Sequence, residues 1–199
     1  MKKLKKLVIA TGFMLTMSVG VLTTQSEAAT NYTVKSGDTY WKVASRFGVS
    51  VVGLKKANNA TSNMLFAGQN LVIPNTTLSL ADKELLAKLV HAEAKGEPYA
   101  GKVAVATVVL NRVASPDFPN TVREVIYQKA GGHYAFTPVQ NGAINEAPDA
   151  ASRAAVNEAL AYRGQGNGSL FFYNPKTAVS KWVYSREVTV TIGNHRFAK

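Results

Sequence analysis

The chain has 199 residues, 46% of them hydrophobic, a formal net charge of +11 and no cysteine. The length allows one or two domains, and the missing cysteines exclude disulfides, thiolate metal sites and a cysteine nucleophile. The charge suits an anionic polymer, but the basic residues are scattered without an Arg/Lys cluster, which argues against a nucleic-acid partner.

The chain opens with Met1-Lys2-Lys3-Leu4-Lys5-Lys6, runs apolar over residues 7–22 and reaches small residues at Ser26-Glu27-Ala28-Ala29. Basic, apolar and small-residue regions in that order read as a secretory leader over residues 1–28, cleaved after Ala28. A retained anchor is the alternative, although the apolar run of about 16 residues is shorter than the roughly 20 that span a bilayer. No later segment is long and apolar enough to cross a membrane, so the mature chain is expected to act outside the cytoplasm without a stable membrane span. The leader carries +3 of the +11, leaving +8 for the mature chain.

Residues 30–74 read as strand, helix, helix, strand. Tyr32-Thr33-Val34 forms the first strand and Asn70-Leu71-Val72-Ile73 the last. Thr39 caps a helix, a second helix covers residues 50–58, and Trp41, Phe47, Val52, Leu54, Leu71 and Ile73 are the expected core. Residues 75–79 form a linker too short for the flanking units to move far apart.

Beyond the linker, Ser79 and Asp82 mark a helix start. Leu86, Leu89, Val90 and Glu93 follow at i, i+3, i+4 and i+7, so an apolar face ends in a carboxylate, and Gly96 is the expected stop. Desolvation and the negative end of the helix dipole would both raise the pKa of Glu93, as a general acid at neutral pH requires. The competing reading puts Glu93 at the edge of the face, meeting solvent or Lys95 or Lys102. Glu97, beside Pro98, reads as a loop support or as a hydrogen-bond partner behind the residues of the site.

Residues 99–113 are apolar on nearly every face and form the expected central helix, with Asn111 at its end either orienting the carboxylate or a substrate amide, or bonding to the helix end. Helices are expected over 121–128 and 150–162. The long segment 131–142 between them is a functional loop in which Phe136 could stack on a sugar and Gln140 hydrogen-bond an acetamido group. Residues 170–173 and 186–192 are expected to pair as a two-stranded antiparallel sheet. Tyr173 and Asn174, at the end of the first of these, shape the site or simply pack on the core. The fold class is α+β: a small βααβ module followed by a mainly helical domain over residues 80–199.

Two resemblances follow. Tyr32-Thr33-Val34-Lys35-Ser36-Gly37-Asp38-Thr39, Asn58-Asn59 and Ala67-Gly68-Gln69-Asn70-Leu71-Val72-Ile73-Pro74 resemble a LysM module, with Tyr40 in place of the usual leucine. The resemblance implies a shallow groove for N-acetylglucosamine-containing glycans, lined by Gly37, Asp38, Thr39 and Asn58. Leu89-Val90-His91-Ala92-Glu93-Ala94-Lys95-Gly96-Glu97-Pro98-Tyr99, Val108-Val109-Leu110-Asn111-Arg112-Val113, Phe136-Thr137-Pro138-Val139 and Tyr173-Asn174-Pro175-Lys176 resemble the spore cortex-lytic, germination-type cell-wall hydrolases. That resemblance implies a lysozyme-like domain cutting the peptidoglycan backbone between N-acetylmuramic acid and N-acetylglucosamine as a lytic transglycosylase. Glu93 would serve as acid and base, with no cofactor, in a secreted protein of the cell wall or spore envelope.

Asp117, Glu124, Glu146 and Asp149 sit in turns or at helix starts, so no second acid stands at a convincing spacing for two-carboxylate hydrolysis. A zinc N-acetylmuramoyl-L-alanine amidase is the alternative enzyme, with only His91, His133 and His195 as imidazole ligands and no metal-binding spacing among them. A non-catalytic wall-binding protein is the other alternative.

Overall fold

The computed structural model describes residues 30–76, 78–165 and 167–199, so the expected leader at 1–28 lies outside the described residues. The α+β class is as expected. Strand β1 (Thr30–Thr33) pairs antiparallel with β2 (Asn70–Ile73), Tyr32 opposite Leu71, and the ribbon is bridged by helices α1 (Tyr40–Phe47) and α2 (Val51–Ala57). Thr39 accepts the Lys42 N–H at 3.1 Å to cap α1, and Ser50 accepts that of Gly53 at 2.9 Å to cap α2. Gly48, at φ 61, turns the chain out of α1 in the left-handed region that glycine enters without strain.

The core of this module is Val34, Tyr40, Val43, Ala44, Val49, Leu54, Leu71 and Ile73. Two expected members are not in it: Trp41 is 38% exposed and Val52 56% exposed, while Phe47 is only partly buried. Tyr40 points to the ribbon, and Trp41, about 100° further around the helix, points away from it. There its ring meets Tyr162 of the following domain with centroids 6.4 Å apart.

In that domain α3 (Leu80–Glu93) starts at Ser79, which accepts the Asp82 N–H and donates its hydroxyl to the Asp82 carboxylate at 2.7 Å. The helix ends at Glu93, before the expected stop at Gly96, which is not among the glycines of positive φ. The buried carbonyl of Ala94 is met instead by the buried Lys102 ammonium at 2.9 Å, a cation at a helix C-terminus. Helix α4 (Tyr99–Ala114) is buried along most of its length, and α5 (Val122–Ile126) is capped by Thr121.

The segment expected as a long loop is ordered. Gly131 and Gly132, at φ 59 and 85, turn a hairpin of β3 (Lys129–Ala130) and β4 (His133–Tyr134). Helix α6 (Thr137–Asn141) and a 3₁₀ turn over Ala143–Asn145 follow, then α7 (Ala150–Ala161). Strands β5 (Phe171–Tyr173) and β6 (Val188–Ile192) do not pair with each other as expected. Gly193, at φ 58, opens a two-residue turn with Asn194, and β7 (His195–Ala198) folds back between them in the order β5-β7-β6. Among the described residues no helix is long and apolar enough to cross a membrane.

Helix α7 packs on α3 and α4 and also on α1. Its Ala161 is fully buried in the core of the small module, and Gly48 lies against Asn157 and Lys83. A cavity of about 530 Å³ remains between the units, lined by Ser50, Pro74, Asp82, Asn120, Thr121 and Arg163. The modules share a core at Ala161, so the chain is expected to melt in one calorimetric transition. Ala161→Asp, which puts an unpaired carboxylate there, is expected to split off an earlier transition for the small module. A single unshifted endotherm from the variant would show that the contact carries no energy.

Candidate active site

Glu93 is the last residue of α3, and the same apolar periodicity that buries Leu86, Leu89 and Val90 turns it inward. Its carboxyl is largely buried and has no hydrogen-bond or ion-pair partner among the described residues. Burial pushes its pKa from 4.5 up to about 7, and the Arg112 charge holds it from rising further. The other acids are engaged or exposed. Glu84 takes a bidentate contact from Arg153 at 2.8 and 2.9 Å, Glu124 and Asp149 accept helix-start N–H groups, Glu146 lies 3.4 Å from Lys95, and Asp117 is exposed.

In the sequence Arg112, on α4, stands out only as part of the stretch 108–113 that resembles the cell-wall hydrolases. It is 8% exposed. Its Nε donates to the Leu170 carbonyl at 2.7 Å, and its guanidinium lies 5.0, 5.1 and 5.5 Å from the ring centroids of Phe118, Phe136 and Phe171. Burial lowers its pKa to about 10, opposed by the charge of Glu93, so it stays protonated at neutral pH. The signal that could have found it is a cation late in a mostly apolar helix, in a chain whose phenylalanines recur on either side of the long segment.

Asn111 donates from Nδ2 to the Ser169 carbonyl at 3.0 Å, which ties α4 to the approach of β5. Phe136 is 3% exposed, with Arg112 over its ring and Phe172 stacked 6.2 Å away, while Gln140 is exposed on α6. Tyr173 is buried, edge-on to Tyr184 at 5.2 Å. Asn174 makes the next turn, accepting the Lys176 N–H at 2.9 Å on Oδ1 and those of Thr177 and Ala178 on its carbonyl.

Glu97 supports the sheet. Its carboxylate accepts the Asn194 N–H at 2.9 Å and the Asn194 amide at 3.1 Å. Burial raises its pKa, but these two bonds outweigh it and hold the group below the ordinary value. A side chain at position 193 would collide with that carboxylate, so only glycine fits the turn. His195 beside it is buried, which lowers its pKa, and it packs edge-on to Phe172. Among the described residues no group of three His, Asp or Glu side chains is placed to hold a metal ion.

In the small module, the expected groove residues are bound into the fold. Gly37 turns at φ 81, and its carbonyl accepts from Lys42 at 2.8 Å. Asp38 accepts from the Tyr32 hydroxyl at 2.5 Å and the Lys35 N–H at 2.9 Å, and Thr39 is the helix cap. Asn58 donates both amide protons, to the Leu54 and Val72 carbonyls, and accepts the Val72 N–H, each at 2.8 Å.

A small module packed on an α+β domain that buries one near-neutral carboxyl defines a two-part enzyme with a single candidate acid. Residues 96–198 match the cell wall hydrolase family and residues 32–74 the LysM domain. The chain belongs to the cell wall hydrolase family and carries a LysM domain ahead of it. The match begins just after Glu93.

The chain is 45% identical over 116 residues to the spore cortex-lytic enzyme of Halalkalibacterium halodurans, covering 58% of this chain and 34% of that one. It is 42% identical over 127 residues to the spore cortex-lytic enzyme of Bacillus cereus, covering 64% and 47%. The chain thus spans between a third and a half of these curated relatives. Its fold is similar to the catalytic domain of the germination-specific lytic transglycosylase SleB from Bacillus anthracis, with TM-score 0.56, 42% identity, 64% of this chain covered and 100% of that one.

Glu93 has a folded pKa of about 7 against an ordinary 4.5, so the native state holds its proton more tightly than the unfolded chain does. Its burial costs nothing below pH 4.5 and progressively more as pH rises to 7, on the order of 3 kcal/mol. Glu93→Gln is therefore expected to be more stable than the parent above pH 7, with the difference shrinking towards pH 4.5. Thermal melts across that range check this, and a constant difference would contradict it.

Proposed function

We propose that this protein is an exported, wall-associated lytic transglycosylase that cuts the bond between N-acetylmuramic acid and N-acetylglucosamine, with Glu93 as both acid and base. The observation that carries this reading is the unpartnered, largely buried Glu93 carboxyl with its pKa near 7 and, among the described residues, no similarly perturbed second acid. The proposed arrangement is a leader over 1–28, LysM over 30–74, a linker over 75–79 and the catalytic unit over 80–199.

Protonated Glu93 gives its proton to the glycosidic oxygen as the bond from that oxygen to C1 of the muramic residue breaks. The C6 hydroxyl of the same residue closes on C1 and returns its proton to the Glu93 carboxylate. The products are a 1,6-anhydromuramic end and a free N-acetylglucosamine hydroxyl. No water is consumed, and the carboxyl is ready for another cycle. The charge of Arg112 favours the carboxylate formed halfway, and burial favours the acid at either end. The names of the relatives favour spore peptidoglycan as the polymer.

Mass spectrometry of fragments released from purified peptidoglycan is expected to find 1,6-anhydromuramic ends with the mature protein and none with Glu93→Gln. Reducing muramic ends would replace this mechanism by hydrolysis. Free stem peptides that persist with the variant would replace it by amidase chemistry.

A further inference from the structure

The segment after β5 is hydrogen-bonded back on itself yet offers a large ring to solvent. The Asn174 turn starts it, and the Tyr184 hydroxyl staples it by bonding to the carbonyls of Pro175 and Ala178, at 2.9 and 3.1 Å. Val183, in a 3₁₀ turn over Lys181–Ser185, is buried with Tyr173 and Ala198. On that anchored turn Trp182 remains 52% exposed.

The indole is held on two sides. Phe171 stands edge-on to it at 5.0 Å and 88°, and the Arg186 guanidinium lies 4.3 Å over its ring. The Nε of Arg186 is buried with no hydrogen-bond partner, so ring contact takes the place of polar bonds there. Phe171 also lies against Arg112, the cation whose charge acts on Glu93, which puts Trp182 one ring beyond the candidate site. Residues 174–186 carry Lys176, Lys181 and Arg186 and no acid, matching the anionic stem-peptide carboxylates of a wall strand.

We propose that Trp182 is a stacking platform for a sugar ring of the glycan strand next to the one being cut, and that Arg186 is a positioning residue that fixes the plane of the indole. A pyranose has an apolar C–H face that matches an indole, and a pre-oriented ring spends little entropy in receiving it. This inference rests on the glycan-cutting reading of Glu93.

The chain has two tryptophans, Trp41 and Trp182, so the full-length double variant Trp41→Phe, Glu93→Gln leaves Trp182 as its only indole. Titration with soluble peptidoglycan glycan fragments is expected to change its emission saturably. Adding Arg186→Gln is expected to weaken that response about tenfold, and Arg186→Lys, which keeps a cation over the ring, to restore most of it. In the otherwise unmodified protein, Trp182→Ala is expected to raise KM for the same fragments about tenfold or more, with a smaller effect on kcat. Emission that does not move at fragment concentrations saturating turnover would overturn the platform, and an unchanged response in Arg186→Gln would overturn the role of Arg186. Neither result bears on which bond is cut, because retained cleavage by Glu93→Gln is what would remove the underlying reading.

Discussion

The site depends on how Arg112 is satisfied. A buried guanidinium ordinarily takes a carboxylate partner, and in this chain that partner would be Glu93. An ion pair would hold Glu93 ionised and remove its proton at working pH. Instead the cation lies among the rings of Phe118, Phe136 and Phe171 and bonds to the Leu170 carbonyl. Each ring contact is worth about 0.5–2 kcal/mol, so three rings and a carbonyl hold the charge without a counter-ion. Arg112 then acts on Glu93 only through space, enough to keep its pKa near 7.

The same seat organises the chain around it. Phe118 comes from the stretch between α4 and α5, Phe136 from the residue before α6, and Phe171 from the first strand of the sheet with Leu170 just ahead of it. These segments lie far apart in sequence and meet at one cation. That explains why residues 131–142 are ordered in spite of their loop-like composition: Phe136 is fixed between Arg112 and Phe172, and the chain on either side folds to let it be there.

What was legible in the sequence was what a single element decides for itself. The Thr39 and Ser79 caps, the inward face of α3 and the position of Glu93 follow from spacing and short-range hydrogen bonding. What was not legible depended on partners elsewhere in the fold. Trp41, two residues before Val43 and about 200° around α1 from it, faces away from its own core, but that α7 receives it there, at Tyr162, shows only in the fold. Strand β7 was missed because His195-Arg196-Phe197-Ala198 alternates only weakly, although the Gly193-Asn194 pair is a hairpin signal. Among the site residues, Glu97 read as a loop support and is one, whereas the hydrogen bonds of Asp38 and Asn58 in the LysM fold could be seen only with the ribbon in place.

Helix α7 makes the two units one body, and this changes what a binding module does for an enzyme. A flexible tether raises local concentration and leaves orientation free. Here Ala161 lies in the LysM core while the other faces of the helix pack on α3 and α4, so rotation of LysM would expose apolar surface. On the proposed function, a glycan strand bound at LysM would therefore meet the catalytic unit at a fixed angle and distance. Such an arrangement suits a reaction whose nucleophile is already part of the substrate. In the proposed reaction the C6 hydroxyl comes from the sugar being cut, so the protein has only to hold that sugar in one pose and move one proton out and back. A single carboxyl with its pKa close to neutrality moves a proton both ways at the least total cost.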